Sequence, residues 1–526
     1  MNRHAAMEPA RAPMPVAAAE TLLILAIFFV AAGDPTPGVN EQHYLTRLKH
    51  FWQPSWCAGD LFLESPDAHF TIVWLIGWTT RLAPLPAVAW AGRLLTWGLL
   101  AWAWQRLSWA IVPRRFAAVG SAGLWLTGML QGHLAGEWVV GGVEAKGFAY
   151  VFVLLALTAY VEDRWRAVWV HLGIATALHA LVGGWSTLIL LALWLLHGRA
   201  AAPIRTLLSS LALGGAIGLA GVAPPVVMNW STPPDVVAEA NQIYVFQRLP
   251  HHLALLSKPP DWLAERAGRH AVMLALLIGA AWWAPRQRDP VGQRLRRVIG
   301  FAGGAMLLML IGLAIESAFA AQPARAASLL RYYWHRLTDI AAPMAVALTA
   351  TQAIQVGIAA KRPVGVVGLA LSLAVTAWGL AGPLGARLAD RRAPADKSVA
   401  NPADWRDACQ WVRANTPRDA VFLTPRYANS FKWRAHRAEV ANWKDIPQDA
   451  ASMVAWRRRV RELAYHPADE SGLVRRARSL GHLGGPRLRE LGRAYGASYA
   501  LTDLRRPAGL PIAYSNATYV VYELAR

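Results

Sequence analysis

Eleven long apolar runs dominate this sequence and restrict what it can fold into. A helix needs about 20 mostly apolar residues to cross a bilayer. Apolar residues make up 55% of the chain and charged residues only 16%, whereas soluble domains contain about 45–50% apolar residues. The sequence therefore excludes a simple cytosolic enzyme and predicts a polytopic membrane protein. The predicted spans are residues 16–32, 87–112, 116–132, 146–162, 167–181, 184–197, 206–228, 269–284, 298–320, 338–359 and 363–382.

The positions of the arginines predict how these spans are oriented. Basic residues exceed acidic ones by 53 − 32 = 21, an excess that in a soluble chain would suggest a nucleic-acid partner. Here the basic residues collect in every second connection, as in the cytoplasmic loops of membrane proteins, so we expect no nucleic-acid partner. The pattern requires the segment 69–82 to lie on the membrane surface rather than to cross it. The basic connections contain Arg114 and Arg115, Arg164 and Arg166, Arg199 and Arg205, then Arg286, Arg288, Arg294, Arg296 and Arg297, and finally Lys361 and Arg362.

This orientation divides the chain into two predicted domains. Residues 1–384 form a transmembrane domain of a bacterial inner membrane, with a cytoplasmic N-terminus and a first outer loop at 33–86. Residues 385–526 form an extracytoplasmic α/β domain. Cys57 and Cys409 are too few for a disulfide scaffold or a cysteine-based zinc cluster and leave one possible bridge. In the tail we predict helices at 402–415, 448–464 and 486–495, and strands at 420–424, 438–443, 498–502 and 519–524.

The first outer loop opens with a predicted amphipathic helix, and Glu41 at its start is the leading catalytic candidate. The apolar stripe of this helix would lie on the membrane. Desolvation beside the stripe would raise the pKa of Glu41 and make it a better base near neutral pH. The stripe consists of Tyr44, Leu45, Leu48, Phe51 and Trp52.

Further acids follow in the same loop. Asp60, Glu64 and Asp67 lie close together in the sequence, with His69 just after them. Oxygen ligands of this kind can hold a divalent cation, so Glu41 and Asp60 are candidate ligands of Mg²⁺ or Mn²⁺. The alternatives are that these acids orient a hydroxyl, or that they form a solvated loop, because surface loops often collect acidic residues.

The order of elements in residues 16–165 resembles that of the GT-C fold glycosyltransferases. A first span is followed by an outer loop whose opening helix carries an acid pair and a tyrosine, then by a second outer helix and a long span ending in arginines. The lipid A aminoarabinose transferases and the protein mannosyltransferases share this layout. Their outer loop typically carries an Asp-Glu pair, where this chain reads Asn40-Glu41, with Tyr44 in the matching place.

The resemblance implies a membrane bundle that transfers a sugar from a polyprenyl-phosphate donor to an acceptor on the outer face. Such a reaction needs a base for the acceptor hydroxyl and cations for the phosphate that leaves. The outer connection 133–145 brings Glu137, Glu144 and Lys146 to the membrane interface, where charges are costly and often functional. By the resemblance, Glu144 corresponds to a second acidic position. The alternative is that Glu144 and Lys146 neutralise each other and anchor the helix.

A second polar segment, residues 331–339, carries cations where the charge rule does not require them. Arg331, His335 and Arg336 could bind a lipid phosphate, because guanidinium groups bind phosphate oxygens in a bidentate fork. Arg331 and His335 are four residues apart and would share a helix face. The alternative is an aromatic belt with snorkelling cations.

The sequence thus predicts an α-helical, GT-C-like membrane bundle with an outer α/β domain and the activity of a glycosyltransferase. Its partners would be membrane lipid and a polyprenyl-phosphate sugar donor. A non-catalytic relative that binds lipid-linked glycan, or scaffolds envelope assembly, is the alternative. A transporter ranks last because we see neither repeated halves nor broken helices at the midplane. The predicted catalytic residues are Glu41, Asp60 and Glu144, and the predicted substrate-binding residues are Tyr44, Lys146, Arg331, His335 and Arg336.

Overall fold

Long helices form the larger part of the structure, a computed structural model that describes residues 12–286, 289–467 and 475–524. Each of the eleven apolar segments contains a helix. Seven helices among the described residues are long and apolar enough to cross a membrane. The helical membrane bundle is therefore confirmed, while the number of eleven crossings stays a prediction. The helices are α1 (Met14–Ala32), α2 (Glu41–Trp52), α3 (Leu61–Glu64), α4 (Phe70–Ile76), α5 (Thr79–Leu82), α6 (Leu85–Ile111), α7 (Ala117–Gly132), α8 (Ala145–Val161), α9 (Trp165–Leu178), α10 (Ala180–Leu193), α11 (Ile204–Val227), α12 (Pro234–Gln242), α13 (Pro250–Leu253), α14 (Pro260–Trp283), α15 (Pro290–Ala318), α16 (Pro323–Leu330), α17 (Thr338–Ala359) and α18 (Pro363–Ala389).

Aromatic stacking and close helix contacts build the core of the bundle. Trp104 of α6 stacks on Trp125 of α7, with ring centroids 4.2 Å apart. The helices α9 and α11 meet at Gly173 and Gly214, where a Cβ on Gly173 would lie only 2.2 Å from the backbone oxygen of Gly214. Small residues of this kind let membrane helices approach closely.

Short basic connections mark one end of the bundle. Arg294 donates to the carbonyl oxygen of Ala110 at 2.6 Å, and Arg297 donates to the carbonyl oxygen of Tyr160 at 2.9 Å. Arg297 also pairs with Asp163 at 2.7 Å. These contacts bring the basic connections together at that end. The first loop, the connection between α7 and α8, and the C-terminal domain lie at the opposite end.

The C-terminal domain contains a five-stranded sheet in the order β2-β1-β3-β5-β4. Strand β1 is parallel to β2 and β3, while β5 is antiparallel to β3 and β4. The predicted helices and strands are present, but β2 is only two residues long because the chain leaves the sheet after it. The sequence analysis missed β4, a half-exposed edge strand. The elements are α19 (Pro402–Asn415), β1 (Val421–Leu423), α20 (Phe431–Ala435), β2 (Ala438–Glu439), α21 (Ala450–Ala464), α22 (Gly485–Tyr495), β3 (Tyr499–Asp503), β4 (Ile512–Ser515) and β5 (Tyr519–Glu523).

The helix α2, predicted as an amphipathic helix whose apolar stripe lies on the membrane, has buried residues on both its apolar and its polar face. Leu45 and Leu48 are buried, as predicted for the apolar stripe, but so is Gln42 on the polar face. Gln42 donates to Asp445 of the C-terminal domain at 3.1 Å. The C-terminal domain therefore covers the polar face of the helix, a contact that the helical period alone could not reveal.

The segment 69–82 forms two short helices, α4 and α5, separated near Gly77. Their apolar side chains are about half exposed, including Trp74 at 50% and Trp78 at 45%. Cys57 and Cys409 are both free and buried. They belong to different hydrophobic clusters, so the possible bridge between them is not formed.

Candidate functional site

Polar side chains from four distant segments meet at the end of the bundle that carries the C-terminal domain. They come from the start of α2, the connection between α7 and α8 together with the first turn of α8, the turn before α17, and the turn after β2. Four of them are partly exposed, so the group forms a crevice rather than a sealed core. We call this group the polar cluster, and it consists of Asn40, Tyr44, Glu137, Glu144, Lys146, Arg336 and Lys444.

Lys146 lies at the centre of the polar cluster between two carboxylates. Its ammonium is 3.4 Å from Glu137 Oε1 and 3.5 Å from Glu144 Oε2. It also lies 4.2 Å above the ring of Trp138, a favourable cation–π geometry. Glu144 and Lys146 therefore lie close together, as predicted, but the ammonium of Lys146 also faces Glu137.

The connection that carries Glu137 is shaped by Asp339 in the first turn of α17. The carboxylate of Asp339 accepts the backbone amide of Leu134 at 2.7 Å and those of Ala135 and Glu137 at 3.0 Å each. Buried amides need such partners. Asp339 thereby fixes the backbone position of Glu137.

Arg336 adds a second cation to the polar cluster. Its Nε lies 3.0 Å from Glu137 Oε2, and its guanidinium lies 4.2 Å above the ring of Tyr333. Burial lowers the pKa of Arg336, but Glu137, Tyr333, Tyr244 and Glu144 together outweigh it and raise the pKa above its ordinary value. Arg336 is therefore charged, with part of its surface open to the crevice.

Tyr44 lies beside the acids of the polar cluster. Its ring is 5.3 Å from that of His69 between centroids. Burial, and then the charge of Glu144, raises the pKa of Tyr44 well above its ordinary value. Tyr44 therefore stays a neutral hydroxyl that can donate a hydrogen bond to a ligand.

Glu41 occupies a different environment from the one predicted. Arg93 of α6 donates to both carboxylate oxygens at 2.5 Å. The amides of Gly38 and Val143 donate to the same carboxylate at 2.7 and 3.2 Å. Four donors thus surround a fully buried group, whereas a general base must reach the proton it removes. These contacts argue against the predicted role of Glu41 as a base.

Asp60 belongs to a second buried group, which corrects its predicted place at the reaction site. We call this group the Lys432 network, and it consists of Asp60, Lys432, Glu439, Asn442 and Asp445. The ammonium of Lys432 lies 3.2 Å from Asp60, 2.9 Å from Glu439 and 2.7 Å from Asp445. Asp60 therefore binds a cation of the C-terminal domain and joins that domain to the first loop.

The predicted Mg²⁺ or Mn²⁺ site at Glu41 and Asp60 does not fit these surroundings. Glu41 pairs with Arg93 and Asp60 with Lys432, so each carboxylate already faces a protein cation and the two share no partner. In the described part of the chain, no group of three or more His, Cys, Asp or Glu side chains is arranged to hold a metal ion.

Arg331 and His335 do not join the polar cluster, contrary to prediction. The helix α16 ends at Leu330, and the left-handed conformation of Tyr333 (φ 58°) breaks the helical register. Arg331 donates to Asn241 of α12 at 2.6 Å. His335 is fully buried and packs against Gly312 of α15. Of the three predicted cations in this segment, only Arg336 reaches the acids.

An apolar groove of about 610 Å³ opens beside the polar cluster between α9, α10 and α11. Its lining includes Ala180, Gly184, Gly215 and Tyr332. His179, next to Ala180 in the chain, lies within electrostatic range of Lys146 and Arg336 of the polar cluster. The lining of the groove at Ala180 therefore adjoins a residue that is near the polar cluster.

The architecture of this bundle is similar to that of solved membrane transferases. The archaeal oligosaccharyltransferase AglB from Archaeoglobus fulgidus, in complex with an inhibitory peptide and a dolichol-phosphate, aligns with a TM-score of 0.51. The alignment has 12% identity and covers 93% of this chain and 69% of that chain. The chain has the GT-C fold. The fold predicted from the order of elements is confirmed.

Other comparisons describe the neighbours of this GT-C chain. ArnT from Cupriavidus metallidurans, bound to undecaprenyl phosphate, aligns with a TM-score of 0.45 and 15% identity, over 97% of this chain and 98% of that chain. A family model described as a domain of unknown function, DUF6798, matches residues 403–463. A sequence comparison with curated proteins found no match.

The polar cluster contains two residues, Asn40 and Lys444, that were not predicted as site residues from the sequence. Asn40, noted only as a departure from the acid pair, donates to Glu144 Oε1 at 2.8 Å. Lys444 donates to Asn40 Oδ1, although the two residues lie 404 positions apart in the sequence. The unusual pair Asn40-Glu41 in the sequence could have indicated that Asn40 belongs to the site. No local pattern marks Lys444.

Proposed function

We propose that this protein is an integral-membrane glycosyltransferase that moves a sugar from a polyprenyl-phosphate donor to an acceptor hydroxyl on the outer face of the membrane. The observation that carries this proposal is the convergence of Glu144, Lys146 and Arg336 beside an apolar groove. A lipid-linked sugar combines an apolar tail, which matches the groove, with an anionic phosphate and a polar sugar, which match the charged side chains. The AglB structure of this fold contains a dolichol-phosphate, which is a lipid of that class.

Lys146 and Arg336 are the proposed ligands of the donor phosphate. Both lie within 3.5 Å of Glu137, which holds the two cations on either side of one carboxylate. Positive groups held in place before the reaction stabilise the charge that develops on a leaving phosphate. The lipid tail would lie in the apolar groove between α9, α10 and α11.

Glu144 is the proposed base. In the proposed reaction the acceptor oxygen attacks the anomeric carbon, and the bond between that carbon and the phosphate oxygen breaks. The polyprenyl phosphate leaves with the bonding electron pair, and Glu144 takes the hydroxyl proton. Asn40 orients the carboxylate through its 2.8 Å hydrogen bond. Glu41 holds the loop in place through Arg93.

The test separates binding from transfer. Purified protein in liposomes containing a polyprenyl-phosphate sugar is assayed for donor binding and for release of polyprenyl phosphate. We expect K146M and R336M to weaken donor binding, and E144Q to bind donor but lose about 10²-fold or more of its transfer rate. E265Q, which removes an exposed ion pair with Arg269 of α14, serves as the control. Undiminished transfer by E144Q would remove Glu144 as the base.

The second candidate function is a non-catalytic protein that binds lipid-linked glycan. Two observations favour it. Arg93 and two backbone amides surround Glu41, and the chain has Asn40-Glu41 where the families it resembles typically have an Asp-Glu pair. Tight donor binding by the wild-type protein without turnover, across a panel of acceptor sugars and lipids, would support this candidate and overturn the enzyme.

A further inference from the structure

The C-terminal domain places a cation directly in the crevice of the membrane domain. Lys444 lies in the turn after β2, and its ammonium donates to the side-chain oxygen of Asn40. Asn40 in turn donates to Glu144 at 2.8 Å. One chain of hydrogen bonds therefore joins the C-terminal domain to the proposed base.

The turn that carries Lys444 is held rigidly by its own side chains. The side-chain oxygen of Asn442 accepts the backbone amides of Lys444 and Asp445, each at 2.8 Å. The amide nitrogen of Asn442 donates to Asp445 at 2.8 Å. Lys432 pairs with Asp445 at 2.7 Å. The backbone of Lys444 is thus fixed from within the C-terminal domain.

The membrane domain holds the same turn from the other side. Arg248, which follows α12, donates to the carbonyl oxygen of Trp443 at 2.9 Å. His43 of α2 contacts Asp445 at 3.0 Å. A turn held by both domains loses little further freedom when its lysine binds a ligand, which favours binding.

The surroundings of Lys444 leave its ammonium short of negative charge. The charged groups that face it are Arg248, Glu144, Lys146 and Asp445. Asp445 is already paired with Lys432, and Glu144 is shared with Lys146. Burial, followed by the charge of Arg248, lowers the pKa of Lys444 to about 8. A phosphate beside Lys444 would supply the missing negative charge.

We propose that Lys444 binds the phosphate of the lipid-linked donor, so that the C-terminal domain completes an anion site begun by Lys146 and Arg336. This inference rests on the proposed function. In this proposal the C-terminal domain contributes a residue to the phosphate site and does not merely cover it. The recognised chemistry is a phosphate group, carried by a lipid or free in solution.

The first test measures the affinity of the full chain for polyprenyl phosphate in nanodiscs. Hydrogen bonds to charged groups contribute enough that K444M should weaken the Kd by about 10-fold to 100-fold. K397M removes an exposed lysine of the same domain and should leave the Kd unchanged. Inorganic phosphate as competitor distinguishes the two sources of the ligand. Competition by millimolar phosphate indicates recognition of phosphate itself, and no competition indicates that the lipid is required.

The second test uses pH, and it does not depend on a variant that removes the interaction. The affinity of the wild-type protein should fall above about pH 8, approaching tenfold per pH unit, because the free ammonium loses its proton. The phosphate itself is fully ionised well below this pH. K444R should bind across the whole range, since arginine stays protonated. A wild-type affinity independent of pH from 7 to 9.5 would overturn the inference.

The outcomes separate this inference from the proposed function. Weaker binding in K146M and R336M but not in K444M would overturn the role of Lys444 and leave the proposed function standing. Unchanged binding in all three variants would overturn the proposed function itself. Unaltered thermal unfolding of K444M shows that a loss of affinity is not a loss of fold.

Discussion

Among single residues, Glu41 shows how burial decides what an acid can do. Bringing two charges out of water costs several kcal/mol per ion unless geometry and further hydrogen bonds compensate. Glu41 and Arg93 have that compensation, because two backbone amides also donate hydrogen bonds to the carboxylate of Glu41. The pair joins the first loop to α6.

We predict that E41Q destabilises the protein by about 3–5 kcal/mol, because it leaves the buried guanidinium of Arg93 without a counter-charge. Denaturant unfolding in detergent micelles measures this. The double variant E41Q/R93M removes both charges and should recover more than half of the loss. E265Q is the exposed control. A fully stable E41Q protein without transfer activity would instead restore Glu41 as a reacting group.

Among the elements, the connection between α7 and α8 depends on a residue far from it in sequence. Asp339 lies at the start of α17, yet three amides of the connection donate to its carboxylate. Without those bonds the loop would have to satisfy its amides with water, and Glu137 would lose its fixed position between Lys146 and Arg336. Asp339 is therefore a positioning residue for the polar cluster.

We predict that D339N loosens this connection, because the new NH₂ group faces backbone amides that need an acceptor. The expected cost is about 1–3 kcal/mol, with faster hydrogen exchange at Leu134 to Glu137 and weaker donor binding. The control is T338V, since the buried hydroxyl of Thr338 has no hydrogen-bond partner. Unchanged exchange in D339N would contradict the positioning role.

The groove between α9, α10 and α11 can be tested by filling it. A Cβ on Gly215 would meet no atom within 4 Å, and the same is true of Gly279 on α14. G215L should therefore occupy the groove without disturbing the helices and raise the Kd for polyprenyl phosphate by about tenfold, one to two kcal/mol of displaced apolar contact. G279L is the matched control. Equal affinities in both variants would place the lipid tail elsewhere.

At the scale of the whole molecule, buried charged and polar side chains connect the membrane domain to the C-terminal domain. The Lys432 network joins the first loop to the C-terminal domain, and Lys444 reaches from that domain to Asn40. The basic connections collect at the other end of the bundle. We therefore expect the polar cluster and the C-terminal domain to lie on one side of the membrane and the basic connections on the other.

We predict that the C-terminal domain lies outside the cytoplasm, because basic connections favour the cytoplasmic face. In intact bacterial cells, a membrane-impermeant maleimide should label S398C and leave A200C unlabelled until the cells are permeabilised. Both positions are exposed. The native Cys57 and Cys409 are buried and give little background. Labelling of A200C alone would reverse the orientation.

Sequence reasoning succeeded where a property depends on neighbours along the chain. Each apolar run contains a helix, although the run 167–181 extends past the end of α9 into α10. The segments 331–339 and 133–145 do carry residues of the polar cluster. It failed for Asp60, Arg331 and His335, whose charges or polarity suggested a shared site. Their actual partners, Lys432, Asn241 and Gly312, lie on other elements, and spacing along one segment contains no information about them.

The sequence by itself determined that this chain is a helical membrane bundle followed by an α/β domain, because the transfer of a segment into lipid depends on that segment's own side chains. Only the tertiary structure decided which charges meet. Arg93 finds Glu41 across 52 residues and Lys444 finds Asn40 across 404. A buried charge takes its role from whichever partner the packing of distant helices brings within a few ångströms.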